Sequence, residues 1–414
     1  MYFRMAVLIL GIFCVGTAEL SPSGMLGELS HDLLVTIPTA GLLVTVYALT
    51  VVIGGPIVTA ITTRVRRKRL LVLLLLVSVA GNITCALAPT FVLLLLGRMI
   101  TAVTQGTFMA VCVVTAGNMA DGRKKGSAVA GTQLGVNLAT VLGVPFGTLV
   151  AQQIDWRATF GSVAVLALIT SVLILIAIPD DGKATERTPV RHELRAVAKW
   201  QVIGTVFATV LCSGGMFSLI TYMVPLLTDI GGLPAMWVPA VLLAYGVGSI
   251  VGNFIGGRCA NHSVEATVVW LSWTLAAVCV LYWFAAPSTV GSAVLLVLFS
   301  VATFALIPGL QVRILTIAAD APTLSLTVNM AAFALGAALG SWAGGQVIAL
   351  GFGVRAVTLA AAAFSALGAL LIGQVVLLSR RRFTGVSSND PADAEEAELL
   401  DLPVSPNVST GACR

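Results

Sequence analysis

Long apolar stretches, separated by short polar ones, follow one another along almost the whole chain. A hydrocarbon core about 30 Å thick requires about 20 apolar residues per helix. The pattern predicts an all-α membrane protein whose twelve transmembrane helices lie near residues 5–24, 40–62, 70–88, 91–116, 126–150, 157–179, 201–227, 236–257, 266–286, 289–315, 323–349 and 355–379.

The polar stretches divide the chain into four parts. We expect an N-terminal six-helix bundle over 1–179, a cytoplasmic central loop over 180–200 and a C-terminal six-helix bundle over 201–379. Residues 380–414 form a polar, acidic tail with few apolar side chains to bury, so we expect it to be cytoplasmic and disordered. The first apolar stretch continues into Glu19 and Pro22 without a small-residue cleavage site, so no cleaved signal peptide is predicted.

Composition supports the membrane assignment. Of 414 residues, 58% are hydrophobic and only 10% are charged, and the mean hydropathy is +1.00. A soluble chain carries about 25% charged residues. The seven cysteines show no paired spacing and the three histidines form no ligand cluster, so neither disulfides nor a metal site is expected.

The positions of Lys and Arg predict the orientation. With the N-terminus in the cytoplasm, almost all basic residues fall in inner loops, and the outer loops hold only Arg157 and Arg355. This bias predicts that both termini lie inside the cell. It also accounts for the net charge of +5 without a nucleic-acid partner.

The two halves carry related patterns. Setting Tyr47 on Tyr245 brings Gly54 onto Gly252. Small residues also recur at four-residue steps, which keeps them on one helix face; they are Gly135, Ala139, Gly143 and Gly147 in the fifth helix, and Ala332, Gly336, Gly340 and Gly344 in the eleventh. Such faces let helix backbones approach closely in lipid. Two pseudo-symmetric bundles around a central cavity are therefore expected.

Several segments resemble the major facilitator superfamily, in particular its twelve-helix drug:proton antiporters of the chloramphenicol-resistance and arabinose-efflux type. These segments are VGTAEL followed by GML (15–26), AGLLVTVYAL (40–49), GRMITAVTQGTF (97–108), GVPFGT (143–148), DWRATF (155–160), TYMVPLLTDIGGLP (221–234) and PTLSLTVNMAAFALGAALGSWAGG (322–345). The resemblance covers essentially residues 16–378. It implies the major facilitator fold, a location in the inner membrane of a bacterium, and export driven by the proton gradient without a further cofactor.

One loop departs from the family pattern. Between the second and third helices the family usually has an Asp before its Arg and a Gly after it, whereas this chain has Thr63 and Arg66 at those places. The gate carboxylate is therefore missing. Arg64 and Arg67 remain as candidate gating residues, and they also serve as topology signals and lipid contacts.

Apart from Arg157 and Arg355, which are the first residues of two spans, three charges fall within the predicted spans: Glu19, Arg98 and Arg313. Each costs about 2.5–3.5 kcal/mol at a helix centre, so such groups usually face a cavity or a partner. Glu19 is the only carboxylate well inside a predicted helix, and burial disfavours the charged form of a carboxylate. We therefore expect Glu19 to exchange a proton during transport. The alternative is a helix-end anchor near Ser21 and Pro22.

The resemblance gives Arg98 a coupling role, through its effect on a nearby carboxylate or on a chain of water molecules. Because Arg does not lose its proton in practice, it would tune the site rather than carry the proton. The alternative is that Arg98 ties the fourth helix to backbone carbonyls of a neighbouring helix.

Polar and aromatic side chains on several predicted helices are candidates for the substrate site. A few polar groups among apolar walls suit a small amphiphile. The candidates are Gln105, Met109, Asn137, Tyr222, Asn329, Phe333 and Arg313. Gly143, Pro145, Gly147, Gly336 and Gly340 are candidates for gating and packing.

The resulting prediction is a monomeric exporter of an antibiotic of the chloramphenicol type or a related metabolite, with the substrate, protons and the bilayer as partners. A sugar or nucleoside exporter, an uptake facilitator and a transporter-like sensor are the alternatives. The chain has no GxxxxGK[ST] motif, so ATP is not the direct driver. It also shows no metal-ligand set or nucleophile–base arrangement, so an enzyme is not expected.

Overall fold

The computed structural model describes residues 2–62, 65–119, 132, 134–179, 199–318 and 322–386. Within these ranges, twelve helices are long and apolar enough to cross a membrane. They are α1 (Tyr2–Leu20), α2 (Ile37–Ile61), α3 (Arg67–Ala86), α4 (Phe91–Met119), α5 (Leu134–Gln153), α6 (Trp156–Ala177), α7 (Trp200–Thr221), α8 (Val238–Ala260), α9 (Val264–Ala285), α10 (Thr289–Ile317), α11 (Pro322–Val347) and α12 (Val357–Val386). The predicted all-α class and number of spans are confirmed.

Short polar side chains set the first residues of four helices. The side chains of Thr36, Asp155, Ser263 and Ser288 each accept a hydrogen bond from a backbone N–H two or three residues further on. Such caps satisfy N–H groups that have no partner within the helix. The polar separators of the sequence pattern thus also determine where α2, α6, α9 and α10 begin.

Some boundaries differ from the prediction. α7 ends at Thr221 rather than near 227, and a short helix (Met223–Pro225) and a π-helical turn (Leu226–Ile230) follow it. α12 continues to Val386, beyond the predicted end of the bundle at 379. A helix at Leu26–Asp32, called here the loop helix, was not predicted because seven residues are too few for a periodic signal. Residues 180–198 of the predicted central loop and 387–414 of the tail lie outside the described residues.

The two halves repeat the same helix packing. In the first half, α1 packs on α5 and α6, α3 packs on α4 and α6, and α2 packs on α4. The second half has the equivalent pairs: α7 with α11 and α12, α9 with α10 and α12, and α8 with α10. Between the halves, α2 packs on α11 and α5 packs on α8, which is again a symmetric arrangement. The predicted pseudo-symmetry is therefore present in the contacts.

The small-residue faces lie between equivalent helices. A Cβ added at Gly135 would stand 2.7 Å from Ile12 of α1, and one at Gly147 would stand 3.2 Å from the Ser21 hydroxyl. In the second half, a Cβ at Gly340 would overlap the backbone of Gly214 in α7. Close backbone contact of α5 with α1 and of α11 with α7 thus requires these glycines.

The two ends of the bundle differ in charge and packing. The basic end carries the start of α3 at Arg67 and the last turn of α8 with Arg258; the charge pattern predicts that it faces the cytoplasm. The loop-helix end carries the loop helix. There Leu26, Ala40, Tyr222 and Val357 are buried together, which joins the two halves.

Candidate functional site

A carboxylate and an amide meet where α1 contacts α4. Gln105 Nε2 donates a hydrogen bond of 2.5 Å to Glu19 Oε2. Glu19 lies in the last turn of α1, and Gln105 is buried within α4. The structure therefore places two of the predicted site residues, which are 86 positions apart, in direct contact.

Arg98, also on α4, is fully buried, and its hydrogen bonds go to backbone carbonyls of α1. It donates to the carbonyl oxygen of Ala18 and, over 3.0 Å, to that of Glu19. The last carbonyls of a helix have no partner within it, and a planar guanidinium suits two neighbouring acceptors. The geometry thus matches the alternative in which Arg98 ties α4 to a neighbouring backbone, and it also fixes the residue that carries the carboxylate.

Tyr47 completes the cluster, which we call the Glu19 cluster (Glu19, Tyr47, Arg98 and Gln105). The Arg98 guanidinium carbon lies 4.0 Å from the centroid of the Tyr47 ring. Such cation–π contacts are strongest where water is excluded, and Tyr47 is only 2% exposed. Sequence analysis identified Tyr47 only as a position of the internal repeat, because an aromatic residue in an apolar helix carries no other signal.

Three polar atoms of the cluster have no hydrogen-bond partner among the described residues. They are Tyr47 Oη, Arg98 Nε and Gln105 Oε1. A buried polar atom without a partner costs about 1–3 kcal/mol, and bound water commonly satisfies such groups. The cluster therefore has free hydrogen-bonding capacity for water or for a polar group of a substrate.

Arg98, Thr101, Gln105, Phe108 and Cys112 follow one another along α4 at three- and four-residue steps, so the sequence predicts a stripe on one helix face. The other members of this stripe lie in different surroundings. Thr101 donates its hydroxyl to the Arg98 carbonyl within the same helix. Phe108 and Cys112 are buried in the apolar core of the first half, and Met109 packs against that core. Phe108 also packs against α1, where a Cβ added at Gly11 would stand 2.7 Å from its ring, whereas Arg98 and Gln105 donate hydrogen bonds to α1.

The candidates in the second half do not converge on one point. Thr209 of α7 donates to Asn329 Oδ1 over 2.9 Å, and Phe333 meets Phe217 edge to face with centroids 5.6 Å apart. Tyr222 donates to the Ser341 carbonyl at the loop-helix end. Asn329 and Phe333 lie one turn apart on α11 and face α7, whereas Tyr222 closes the end of the bundle.

Arg313 is held near the basic end by two neighbouring helices. Its Nη1 lies 3.1 Å from Glu265 Oε1, and its Nε donates to the Thr205 hydroxyl. α9 begins at Val264, two residues before its predicted start, so Glu265 is a carboxylate in its first turn. The position of Arg313 is thus explained by a tie between α10, α9 and α7.

Asn137 lies between the two halves. Asn253 Nδ2 of α8 donates to Asn137 Oδ1 over 3.0 Å. This hydrogen bond joins α5 of the first half to α8 of the second half within the membrane-spanning part of the molecule. Asn137 is half-buried, so it also borders the space between the halves.

The gating candidates divide into packing residues and one bend. Gly143 and Gly336 approach Thr17 of α1 and Ser213 of α7, in the same way as the glycines described above. Pro145 follows a π-helical turn at Ala139–Gly143, as expected where proline removes a backbone donor. Arg67 is the first residue of α3, and Arg64 lies outside the described residues.

A second polar cluster, not predicted, holds the loop helix. Arg157 Nη1 lies 2.7 Å from Asp32 Oδ2, and Trp156 Nε1 donates to the same oxygen over 3.0 Å. Arg157 also donates to the Ala88 carbonyl. Its guanidinium holds the pKa of Asp32 below the usual range. The loop helix is thereby tied to the ends of α3 and α6.

Next to it, a cavity of about 480 Å³ is lined by both halves, with Glu28 and Gln152 on one side and Val224 and Thr228 on the other. Burial raises the pKa of Glu28. One oxygen of its carboxylate, Oε2, is buried and without a partner in the described part of the chain.

These features define a membrane transporter built from two six-helix repeats. Residues 8–323 match the sequence profile of the Major Facilitator Superfamily. The chain belongs to this superfamily, and it is therefore a transporter rather than an enzyme.

Similar proteins agree with this assignment. The inner membrane transport protein YdhP of Escherichia coli K12 is 36% identical over 370 residues, covering 89% of this chain and 95% of that protein. The chloramphenicol resistance protein of Streptomyces lividans is 30% identical, covering 81% of this chain and 86% of that protein.

Solved structures share the fold at low identity. A bacterial homologue of the human lysosomal transporter Spinster, inward-facing and occupied, aligns with a TM-score of 0.69 at 14% identity, over 90% of this chain and 96% of that chain. The peptide transporter POT in complex with alafosfalin aligns with a TM-score of 0.72 at 12% identity, over 91% and 94%. The predicted major facilitator fold is confirmed.

Proposed function

We propose that this protein exports small amphiphilic molecules, of the chloramphenicol type or a related metabolite, across the bacterial inner membrane in exchange for protons. The observation that carries the proposal is the contact of Glu19 with Gln105 inside the membrane-spanning part of the molecule. The resemblance of the sequence to drug:proton antiporters and the identity to a chloramphenicol resistance protein support the same class of substrate.

Gln105 suits a carboxylate that gains and loses a proton. An ionised carboxylate only accepts hydrogen bonds, whereas a protonated one also donates. In the structure the amide nitrogen donates to Glu19, and the amide oxygen has no partner among the described residues. Rotating the amide by half a turn presents that oxygen to the protonated acid, so the contact can be kept in both states.

Arg98 keeps the carboxylate in place during this exchange. Because its guanidinium binds the carbonyls of Ala18 and Glu19 rather than neutralising the acid in a direct pair, the carboxyl group stays free to take up a proton. In alternating access, protonation at the outer side and release at the inner side would drive substrate outward. Arg98 acts in this cycle as a positioning residue.

The substrate is proposed to lie between the Glu19 cluster and α11, near the partly exposed ring of Phe333 and close to Asn329, which binds Thr209 of α7. Of the other candidates, Asn137 borders the space between the halves, whereas Met109, Tyr222 and Arg313 lie against the core of the first half, at the loop-helix end and near the basic end. Apolar walls supply burial and the amides orient the molecule. A neutral or weakly basic amphiphile fits such a lining better than an anion, because Glu19 is the acid of the cluster.

The test uses purified protein in liposomes with an imposed pH gradient. Chloramphenicol and a panel of sugars and nucleosides are offered, and proton flux and substrate flux are followed together. The native protein is expected to move protons against one or more of these compounds. Glu19→Gln is expected to reduce coupled flux at least about tenfold, equivalent to about 1.4 kcal/mol, while Asp229→Asn, an exposed acid beyond α7, leaves it unchanged.

Retained proton-coupled efflux in Glu19→Gln would overturn the role of this residue. Flux that follows the substrate gradient without protons would establish the facilitator instead. Absence of flux for every compound, with folded protein, would favour the sensor.

A further inference from the structure

A groove between α8 and α9 opens at the basic end of the bundle. It has a volume of about 580 Å³. Its rim is formed by Arg258, His262 and Ser263, and its lower walls include Phe254 and Trp270. The groove lies in the second half, away from the Glu19 cluster and from the cavity at the loop-helix end.

The lining changes from polar to apolar along the membrane normal. Arg258 and His262 lie at the end of α8 and just beyond it, at the predicted cytoplasmic surface. Trp270 lies six positions after Val264, the first residue of α9, which is about 9 Å deeper at 1.5 Å per residue. Phe254 is 65% exposed and Trp270 is 71% exposed. This order, a charged rim above aromatic walls, matches a head group above an acyl chain.

The rim carries positive charge. The Arg258 guanidinium lies 5.4 Å from the Phe254 ring centroid, and within the described ranges no carboxylate pairs with it. The nearest acid on α9, Glu265, is engaged by Arg313 over 3.1 Å. The rim also includes the N-terminus of the 22-residue helix α9, where the helix dipole favours an anion. An arginine and a helix N-terminus together are suited to a phosphate group.

We propose that this groove binds an anionic phospholipid of the cytoplasmic leaflet. Its phosphate contacts Arg258 and His262, and one acyl chain lies between Phe254 and Trp270. A zwitterionic lipid can fill the same apolar walls, but its positive head group opposes the charge of the rim. The groove therefore selects anionic lipid over zwitterionic lipid.

The test uses the tryptophan of the groove as a reporter. The full-length protein is placed in phosphatidylcholine nanodiscs with a fixed fraction of brominated phosphatidylglycerol or brominated phosphatidylcholine, which quench nearby tryptophans. The fluorescence of Trp270 is obtained as the difference between the tryptophan fluorescence of the native protein and that of Trp270→Phe. We expect brominated phosphatidylglycerol to quench the fluorescence of Trp270 at least about twofold more strongly than brominated phosphatidylcholine does. Trp342 of α11, 50% exposed, measured in the same way with Trp342→Phe, is expected to show no preference.

The double variant Arg258→Gln with His262→Gln is expected to abolish the preference at Trp270, and Arg258→Lys is expected to retain most of it. Both positions are exposed, so folding is expected to be unaffected, which size-exclusion profiles check. Equal quenching of Trp270 by the two lipids overturns the proposal. So does a preference that survives in the double variant, or one of the same size at Trp342.

Discussion

At the scale of single residues, the charges of the spans differ in what holds them. Arg98 contacts two carbonyls and one ring, Arg313 contacts a carboxylate and a hydroxyl, and Glu19 contacts one amide. The unusual position of each charge could be predicted from the sequence, because charge is rare in lipid. The partner of each could not, since carbonyls and aromatic rings occur along every helix.

Replacing Arg98 by Met is expected to destabilise the protein, because two carbonyls at the end of α1 lose their donors. The cost of each unsatisfied buried group is about 1–3 kcal/mol. The midpoint of thermal unfolding in detergent should fall clearly for Arg98→Met and less for Arg98→Lys, which keeps one charged donor. Arg258→Met, at an exposed site, serves as the control; an equal shift for both variants would contradict the structure.

Gln105 shows how far spacing alone can go. It lies seven residues after Arg98, so both were predicted on one face of α4. Phe108 and Cys112 belong to the same predicted stripe, yet they lie in the apolar core. Helical periodicity predicts which side chains share a face of α4. The packing of α1 against that face decides which of them belong to the Glu19 cluster.

At the scale of helices, the small-residue faces determine which pairs touch. Their place in the sequence predicted close packing but not the partner, because any neighbouring helix can use a glycine face. The structure gives the partners as α1 for α5 and α7 for α11. The loop helix and the early end of α7 were missed for another reason, since short and irregular turns leave no periodic pattern.

Gly340→Ala is expected to force α11 away from α7, because the added Cβ would overlap the backbone of Gly214. Overpacking of this kind costs about 1–3 kcal/mol. Gly373→Ala in α12 is the matched control, since nothing lies within 4 Å of the added atom. Thermal unfolding in detergent should separate the two variants. Equal stability of both would show that the helices have room that the structure does not contain.

At the scale of the whole molecule, both halves line the cavity at the loop-helix end, with Glu28 from the first half and Thr228 from the second. Burial raises the pKa of Glu28 above its usual value of about 4.3. The arrangement in the structure, in which the two halves are in contact at this end and which is called closed here, therefore favours the protonated acid. Protonated Glu28 stabilises the closed arrangement relative to an open, hydrated one. This stabilisation is complete below the usual pKa of a glutamate and is lost as the pH rises through the raised pKa.

We therefore expect acidification of this side to favour closure, and Glu28→Gln to remove that part of the pH dependence. Spin labels at Gly27→Cys and Ala235→Cys, in a background without native cysteines, measure the distance between the halves by electron resonance. The short-distance population should grow from neutral to acidic pH, and much less so with Glu28→Gln. An unchanged pH response in that variant would assign the effect to another group.

The overall architecture was the most predictable part of this protein, since bilayer thickness imposes helix length and the internal repeat imposes symmetry. The site was less predictable, because Glu19, Tyr47 and Arg98 come from three helices and their contacts depend on how those helices cross. Only the contact with Arg98 in the structure identifies Tyr47 as a member of the site.

Gly246 on α8 faces the backbone of α5, where an added Cβ would collide with Val141 and lie 3.0 Å from the Thr140 carbonyl oxygen. The seam between the halves therefore has a clearance smaller than one methyl group. Two surfaces this close cannot slide past each other side chain over side chain. The first movement of a transport cycle must separate them, so the speed of the cycle depends on how easily this contact opens.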